Sequence, residues 1–278
     1  MSNVPFGVAR LDSILGGGAP PGSVVLLSGE SGAGAREFLY TSAAMNVLAR
    51  ADEELFDLYY GDLEDSSAVP PEVHYVSFTS GEAAIERELG YTMADEIAAA
   101  AADGIRFADL STPYFQLSPI PRDWYHGEPS TIGDLGEREH HGDLLSELGE
   151  YLSAHAAGNL VVIDSVTDLV SSISEEMDWN DIAMVMKGLK KAAHHWGGLI
   201  LLLVNEDTLT DTERGILMDS VGGTFRFTWE TGGSQRARTM VVREFRGVLS
   251  RLEEENIIRF ETEIHEGGFD ITDVRKIR

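Results

Sequence analysis

An α/β fold, with a mostly parallel central sheet, helices on both faces and a C-terminal antiparallel extension, is predicted by three observations. Short apolar runs bounded by polar or turn residues recur up to Val204. Helix-period patterns lie between several of them, and such alternation implies parallel strands covered on both faces. Beyond Asn205, four strand-like runs succeed one another with no convincing helix between them.

The apolar runs, in order, are Val24 to Ser28, Val73 to Phe78, Ile105 to Leu110, Leu160 to Asp164 and Leu199 to Val204. After the first run, Phe38, Met45 and Leu48 give a helix an apolar face. Leu144, Leu148, Tyr151, Leu152 and His155 repeat at three and four residues, as do Ile182, Val185, Met186, Leu189, Ala193 and Trp196. The late strands are Thr224 to Trp229, Arg238 to Phe245, Ile257 to Ile264 and Phe269 to Val274, joined by Gly-Gly or charged turns. No linker composition separates these parts, so residues 1–278 are expected to form one domain. Two excursions interrupt it, near 51–72 and 111–141. Ala51 to Pro71 is acidic and reads as a solvated loop, whereas Ser111 to His141 mixes four prolines with Tyr114, Phe115, Trp124 and Tyr125. Those rings would order the second excursion on the domain or on a neighbour, or pack locally.

Of the 278 residues, 47 are acidic and 21 basic, giving a net charge of -26, and only four are lysines. The acids run from Asp12 to Asp273 rather than forming one patch, which favours halophilic adaptation over a function-specific acidic surface. At molar salt, screening over about 3 Å tames the self-repulsion. A broad nucleic-acid face is disfavoured, since it requires clustered Lys and Arg. There is no cysteine, so disulfides, thiolate catalysis and cysteine-ligated zinc are excluded. The longest apolar run is too short to span a bilayer, and Met1 to Arg10 lacks the pattern of a signal peptide. A cytoplasmic protein without membrane insertion is expected.

The chemistry-bearing stretch is Gly29-Glu30-Ser31-Gly32-Ala33-Gly34-Ala35-Arg36. Its glycines have the spacing of a P-loop, G-x-x-x-x-G-K-[ST], between a strand and a helix. Backbone N–H groups and the positive helix end would attract phosphate whatever the side chains. Ala35, however, stands where the lysine reaches the β and γ phosphates, and Arg36 where a hydroxyl ligates magnesium. Arg36 lies about 100° further around the helix than the lysine would, and it cannot bind a cation. Glu30 and Glu37 add negative charge beside the same place. Asp164, ending the run Leu160 to Asp164, is the candidate magnesium ligand, with helix capping as the alternative. ATP or ADP with magnesium is therefore the cofactor to test, bound weakly if at all.

The opening stretch from Phe6 to Tyr40 resembles the core domain of KaiC-like proteins in the RecA superfamily, through Leu11-Asp12, Leu15-Gly16-Gly17-Gly18 and Pro21-Gly22. The likeness continues through Val73 to Leu89, Leu160 to Val170, Val241 to Gly247 and Ile257 to Ile271. It implies a RecA-like P-loop fold and is similar to haloarchaeal sequences named as transducer-like or recombinase-related ATPases. Active members carry a Glu-Glu pair where this chain has Thr79-Ser80, with Glu82 nearby at a different spacing. Hexameric members carry Lys-Met-Arg-Gly where this chain has Glu244-Phe245-Arg246-Gly247, which makes Arg246 the candidate interface residue. The resemblance thus implies a degenerate, non-hydrolysing scaffold that binds a protein partner or itself. The competing reading is an ATPase or kinase using Arg36, Glu82 or a neighbour's residue, while a recombinase sits poorly with so acidic a surface. The pairs His140-His141 and His194-His195 read as surface or packing residues, because adjacent helical positions diverge.

Overall fold

The computed structural model describes residues 2–116, 118–121, 124–125, 144–173, 177–232, 235–245, 248 and 257–276. Among them, nine strands form one sheet in the order β3-β2-β4-β5-β1-β6-β7-β8-β9. The strands are β1 (Ser23–Gly29), β2 (Val73–Ser77), β3 (Ile105–Asp109), β4 (Leu160–Asp164), β5 (Leu199–Asn205), β6 (Gly223–Gly232), β7 (Gln235–Phe245), β8 (Ile257–His265) and β9 (Gly268–Lys276). All five residues of β2 and of β4 are buried, as parallel strands covered on both faces require.

One correction concerns the late strands. β6 does not begin the antiparallel extension, because it runs parallel to β1, with Leu27 opposite Phe225. Only β7, β8 and β9 are antiparallel additions. Pairing direction depends on the path of the connection, and the connection from β5 to β6 contains a helix that weak periodicity conceals. This helix, Asp211–Ser220, buries only Leu217 and Ser220 and is held at its start by a capping box between Thr210 and Glu213.

Helices α1 (Ala9–Leu15), α2 (Ala35–Ala51), α3 (Glu53–Tyr59), α4 (Glu82–Thr92) and α5 (Asp95–Gly104) lie over one face. After α6 (Ser111–Phe115), the helices α7 (Leu144–His155), α8 (Val166–Ile173), α9 (Trp179–Trp196) and α10 (Asp211–Ser220) cover the other. β1 alternates between the two cores, sending Val25 and Leu27 to the first and Val24 and Leu26 to the second. Six phenylalanines, Phe6, Phe38, Phe225, Phe227, Phe245 and Phe269, join α2 to the sheet with ring centroids 5.0 to 6.0 Å apart. Phe38 is fully buried, which contributes about 2–3 kcal/mol.

The acidic segment 51–72 is not simply a solvated loop. Asp52 caps α3 by accepting from the Leu55 N–H at 3.0 Å, and Phe56 stacks on Tyr60 with centroids 4.6 Å apart. Ser66 and Ser67 then donate to the Gly16 and Gly17 carbonyls at 2.8 and 2.9 Å. Asp12 anchors this corner, accepting from the N–H groups of Phe6, Gly7 and Val8 and from the Tyr60 hydroxyl. Burial pushes its carboxyl up to about 7 against those four donors. Gly18 adopts φ +105°, and a Cβ there would lie 2.2 Å from the Val4 carbonyl oxygen, which accounts for the glycine run. In the second excursion, Phe115 packs against both Tyr114 and Tyr125, while Trp124 is exposed. Residues 126–143, with His140-His141, lie outside the described residues, as does Arg246. No helix among the described residues is long and apolar enough to cross a membrane.

Candidate functional site

At the C-terminal end of β1 the chain turns through Glu30 to Gly34 into α2, because Gly32 and Gly34 take φ of +74° and +110°. A Cβ at Gly34 would press on the Phe269 ring at 3.2 Å. The loop lines a cavity of about 280 Å³ with Gly29, Glu30, Ser31, Gly32, Gly34, Ala35 and Arg36, joined by Ser165 and Asn205. Ala33, the remaining loop residue, is turned into the core. The first N–H groups of α2 have no partner within the helix, so the anion-attracting geometry is retained.

The chain's own side chains occupy much of this surface. Arg36 Nη2 donates to Asp164 Oδ1 at 3.0 Å, and the Tyr75 hydroxyl donates to Asp164 Oδ2 at 2.6 Å. Both oxygens of the candidate magnesium ligand therefore have partners within the chain. Burial raises the Asp164 carboxyl above the ordinary aspartate range, while the Arg36 charge and the Tyr75 hydrogen bond pull it back. Arg36 Nη1 lies 3.8 Å from Glu88 of α4, which also accepts from Tyr40. Burial and that carboxylate keep the Tyr40 phenol protonated, well above its usual range. Glu82, by contrast, opens α4 as an exposed residue. The peptide between Asp164 and Ser165 is cis.

On the other side of the loop, Asp207 accepts from the Ser31 N–H at 2.9 Å, placing a carboxylate on a phosphate-type donor. Hydrogen bonding to Ser31 holds the Asp207 carboxyl below its usual range. Asn205 directs Nδ2 at Ser31 Oγ, 3.5 Å away, and its Oδ1 accepts from the Asp207 N–H at 3.1 Å. Glu30 accepts from the Trp229 N–H at 3.0 Å, and Trp229 Nε1 donates to the Ser31 carbonyl at 3.1 Å. Arg238 stacks over the Trp229 ring at 4.6 Å and donates to the Gly32 carbonyl at 3.1 Å. Beneath the loop, buried Glu206 receives a fork of hydrogen bonds from Arg226 and one from Ser28.

The sequence points to the eight loop residues and Asp164. Sequence reasoning missed Tyr75, Glu88, Asp207, Trp229 and Arg238, which carry no motif and meet the loop through sheet register. The Glu206-Asp207 pair directly after β5 was the one available signal. Among the described residues, no group of three or more His, Cys, Asp or Glu side chains could hold a metal ion.

No protein-family model and no curated protein matches the sequence. Among solved structures, a KaiC-like protein from the hyperthermophilic archaeon Pyrococcus horikoshii OT3 superposes with a TM-score of 0.61. The match covers 98% of this chain and 99% of that one at 17% sequence identity. At that identity the likeness concerns architecture. The chain therefore has an α/β fold of KaiC-like, RecA-like type, with its glycine loop at the C-terminal end of a central parallel strand.

Proposed function

We propose that this chain is a non-hydrolysing regulatory or signalling scaffold of KaiC-like ancestry, whose degenerate phosphate loop binds nucleotide weakly or not at all. The observation that carries this reading is the Arg36–Asp164–Tyr75 contact: a guanidinium and a phenol hydrogen-bond the two carboxylate oxygens that would hold a magnesium ion or its water, and place a fixed positive charge there. Ala35 supplies no charge toward a γ phosphate, and Asp207 already accepts from the loop at Ser31. These residues do not fit magnesium triphosphate. Losing the electrostatic positioning of a transferring phosphoryl group forfeits several kcal/mol of transition-state stabilisation. The retained cavity of about 280 Å³ supports the weak-occupancy version, in which nucleotide binds without turnover.

In this reading residues 1–278 act as one cytoplasmic domain of a halophilic, haloarchaeal type, and its partner is another protein or a second copy. Arg246 is the candidate residue for self-association. ATP binding and hydrolysis measured at molar KCl, alongside Asp164→Ala, test the proposal. Turnover below about 0.01 per second is expected. Faster turnover that disappears in Asp164→Ala would establish chemistry at the site and favour the active-ATPase reading. Turnover gained by joint Ala35→Lys and Arg36→Thr replacement would show that these two changes silence the loop.

A further inference from the structure

Three of the four lysines in this chain of net charge -26 converge on one place. Lys187, Lys190 and Lys191, followed by His194 and His195, are spaced i, i+3, i+4, i+7 and i+8 along α9 and so share a helix face. They wall a cavity of about 620 Å³ whose floor is the start of β1, from Pro21 to Val24, together with Phe245. Among the described residues that line it, none is acidic, although acids outnumber bases 47 to 21 in the chain. This cavity lies at the N-terminal end of β1, about 20 Å along the seven-residue strand from the glycine loop.

Ordinary helix chemistry does not account for the cluster. The negative end of the helix dipole favours cations only within the last turn, which explains His194 and His195 but not the three lysines. Like charges at these spacings destabilise a helix unless something compensates them. Lys187 has Asp219 at 3.6 Å, and Lys190 donates to the Val221 carbonyl at 2.9 Å, so this side of the wall is positioned by α10 and the turn after it.

We propose that this cavity binds a small organic anion, a phosphate ester carried on a flat apolar ring. Ammonium groups act as point charges suited to a compact dianion, and among the described residues no arginine fork lines the cavity to favour a planar carboxylate. Pro21 and the methylene stems of the lysines offer the apolar surface a ring would cover, over a floor closed by buried Val24 and Phe245, and the volume is within the range of small-molecule sites. The proposal does not depend on the reading of the glycine loop.

Equilibrium dialysis with 4-methylumbelliferyl phosphate and its parent 4-methylumbelliferone tests it, at the lowest KCl that preserves the native circular dichroism spectrum. The ester is expected to bind at least about tenfold more tightly than the parent, because only the ester engages the lysines. In the double variant Lys187→Gln/Lys191→Gln, which keeps the bond from Lys190 to Val221, ester affinity should fall at least about tenfold while parent affinity holds. Equal affinity for the two probes, absence of binding at millimolar ester, or unchanged ester affinity in a natively folded double variant would overturn the proposal.

Discussion

The two ends of β1 treat charge in opposite ways. At its C-terminal end three carboxylates meet partners from the same chain: Asp164 with Arg36, Asp207 with the Ser31 N–H, and Glu206 with Arg226. At its N-terminal end, Lys187, Lys190 and Lys191 crowd one side of a cavity that no carboxylate lines among the described residues. The glycine loop, where the ancestry of the fold directs attention, is thus electrostatically self-sufficient. The opposite end instead gathers three lysines on one helix face, where an anion could join them.

The largest effect expected from this contrast is on stability. Arg36→Ala leaves the buried Asp164 carboxylate with Tyr75 as its remaining partner and should cost about 2–3 kcal/mol by denaturation in molar KCl, after allowing for the half-exposed arginine. Lys191→Ala at the other end should stay within about 0.5 kcal/mol. Equal losses would erase the contrast. A smaller effect sharpens it: in Arg36→Met/Asp164→Leu, replacing both partners should recover about 1–2 kcal/mol of the single-mutant losses, measured as the coupling in a double-mutant cycle. The smallest is pH-dependent and concerns His74, near the start of β2. It is buried, with Nδ1 2.8 Å from the Tyr151 hydroxyl, and burial lowers its pKa against the raising influence of Glu72. A histidine whose folded pKa is depressed stabilises the protein above its unfolded value near 6.5, and that contribution is lost as pH falls through it. Asp12, raised to about 7, contributes the opposite slope in the same window, so the decline should appear as the stability difference between wild type and His74→Gln, narrowing as chemical denaturation is repeated from pH 7.5 down to about 5.5.

The parallel strands were legible because doubly covered strands must be continuous apolar runs, and Leu160 to Asp164 agrees to the residue. The loop was legible because a turn with two positive-φ positions leaves glycines at fixed spacing. Among the helices, only α2, α7 and α9 were named from periodicity, and two of the others show why. α3 commits only Phe56 to the core, and α10 only Leu217 among its large side chains, so neither has enough apolar periodicity to stand out. The parallel course of β6 was hidden for a related reason, since the α10 crossover fixes it. Arg36 and Asp164 could each be named from sequence, but their meeting across 128 positions depends on how α2 packs over the ends of β4 and β2. Similarly, the lysine spacing on α9 is visible in the sequence, whereas the cavity facing it requires the start of β1 and Phe245 to be in place.

The clasp between α2 and β9 has a consequence for synthesis. Phe269 donates its N–H to Thr41 at 2.8 Å and lays its ring against Phe38 and Gly34, while Arg10 reaches the carbonyls of Ile271 and Thr272. A ribosome must therefore translate more than two hundred further codons after the glycine turn before that turn gains its final wall. Until then the emerging helix keeps an uncovered aromatic flank, which makes the interval one of exposure to chaperones and proteases.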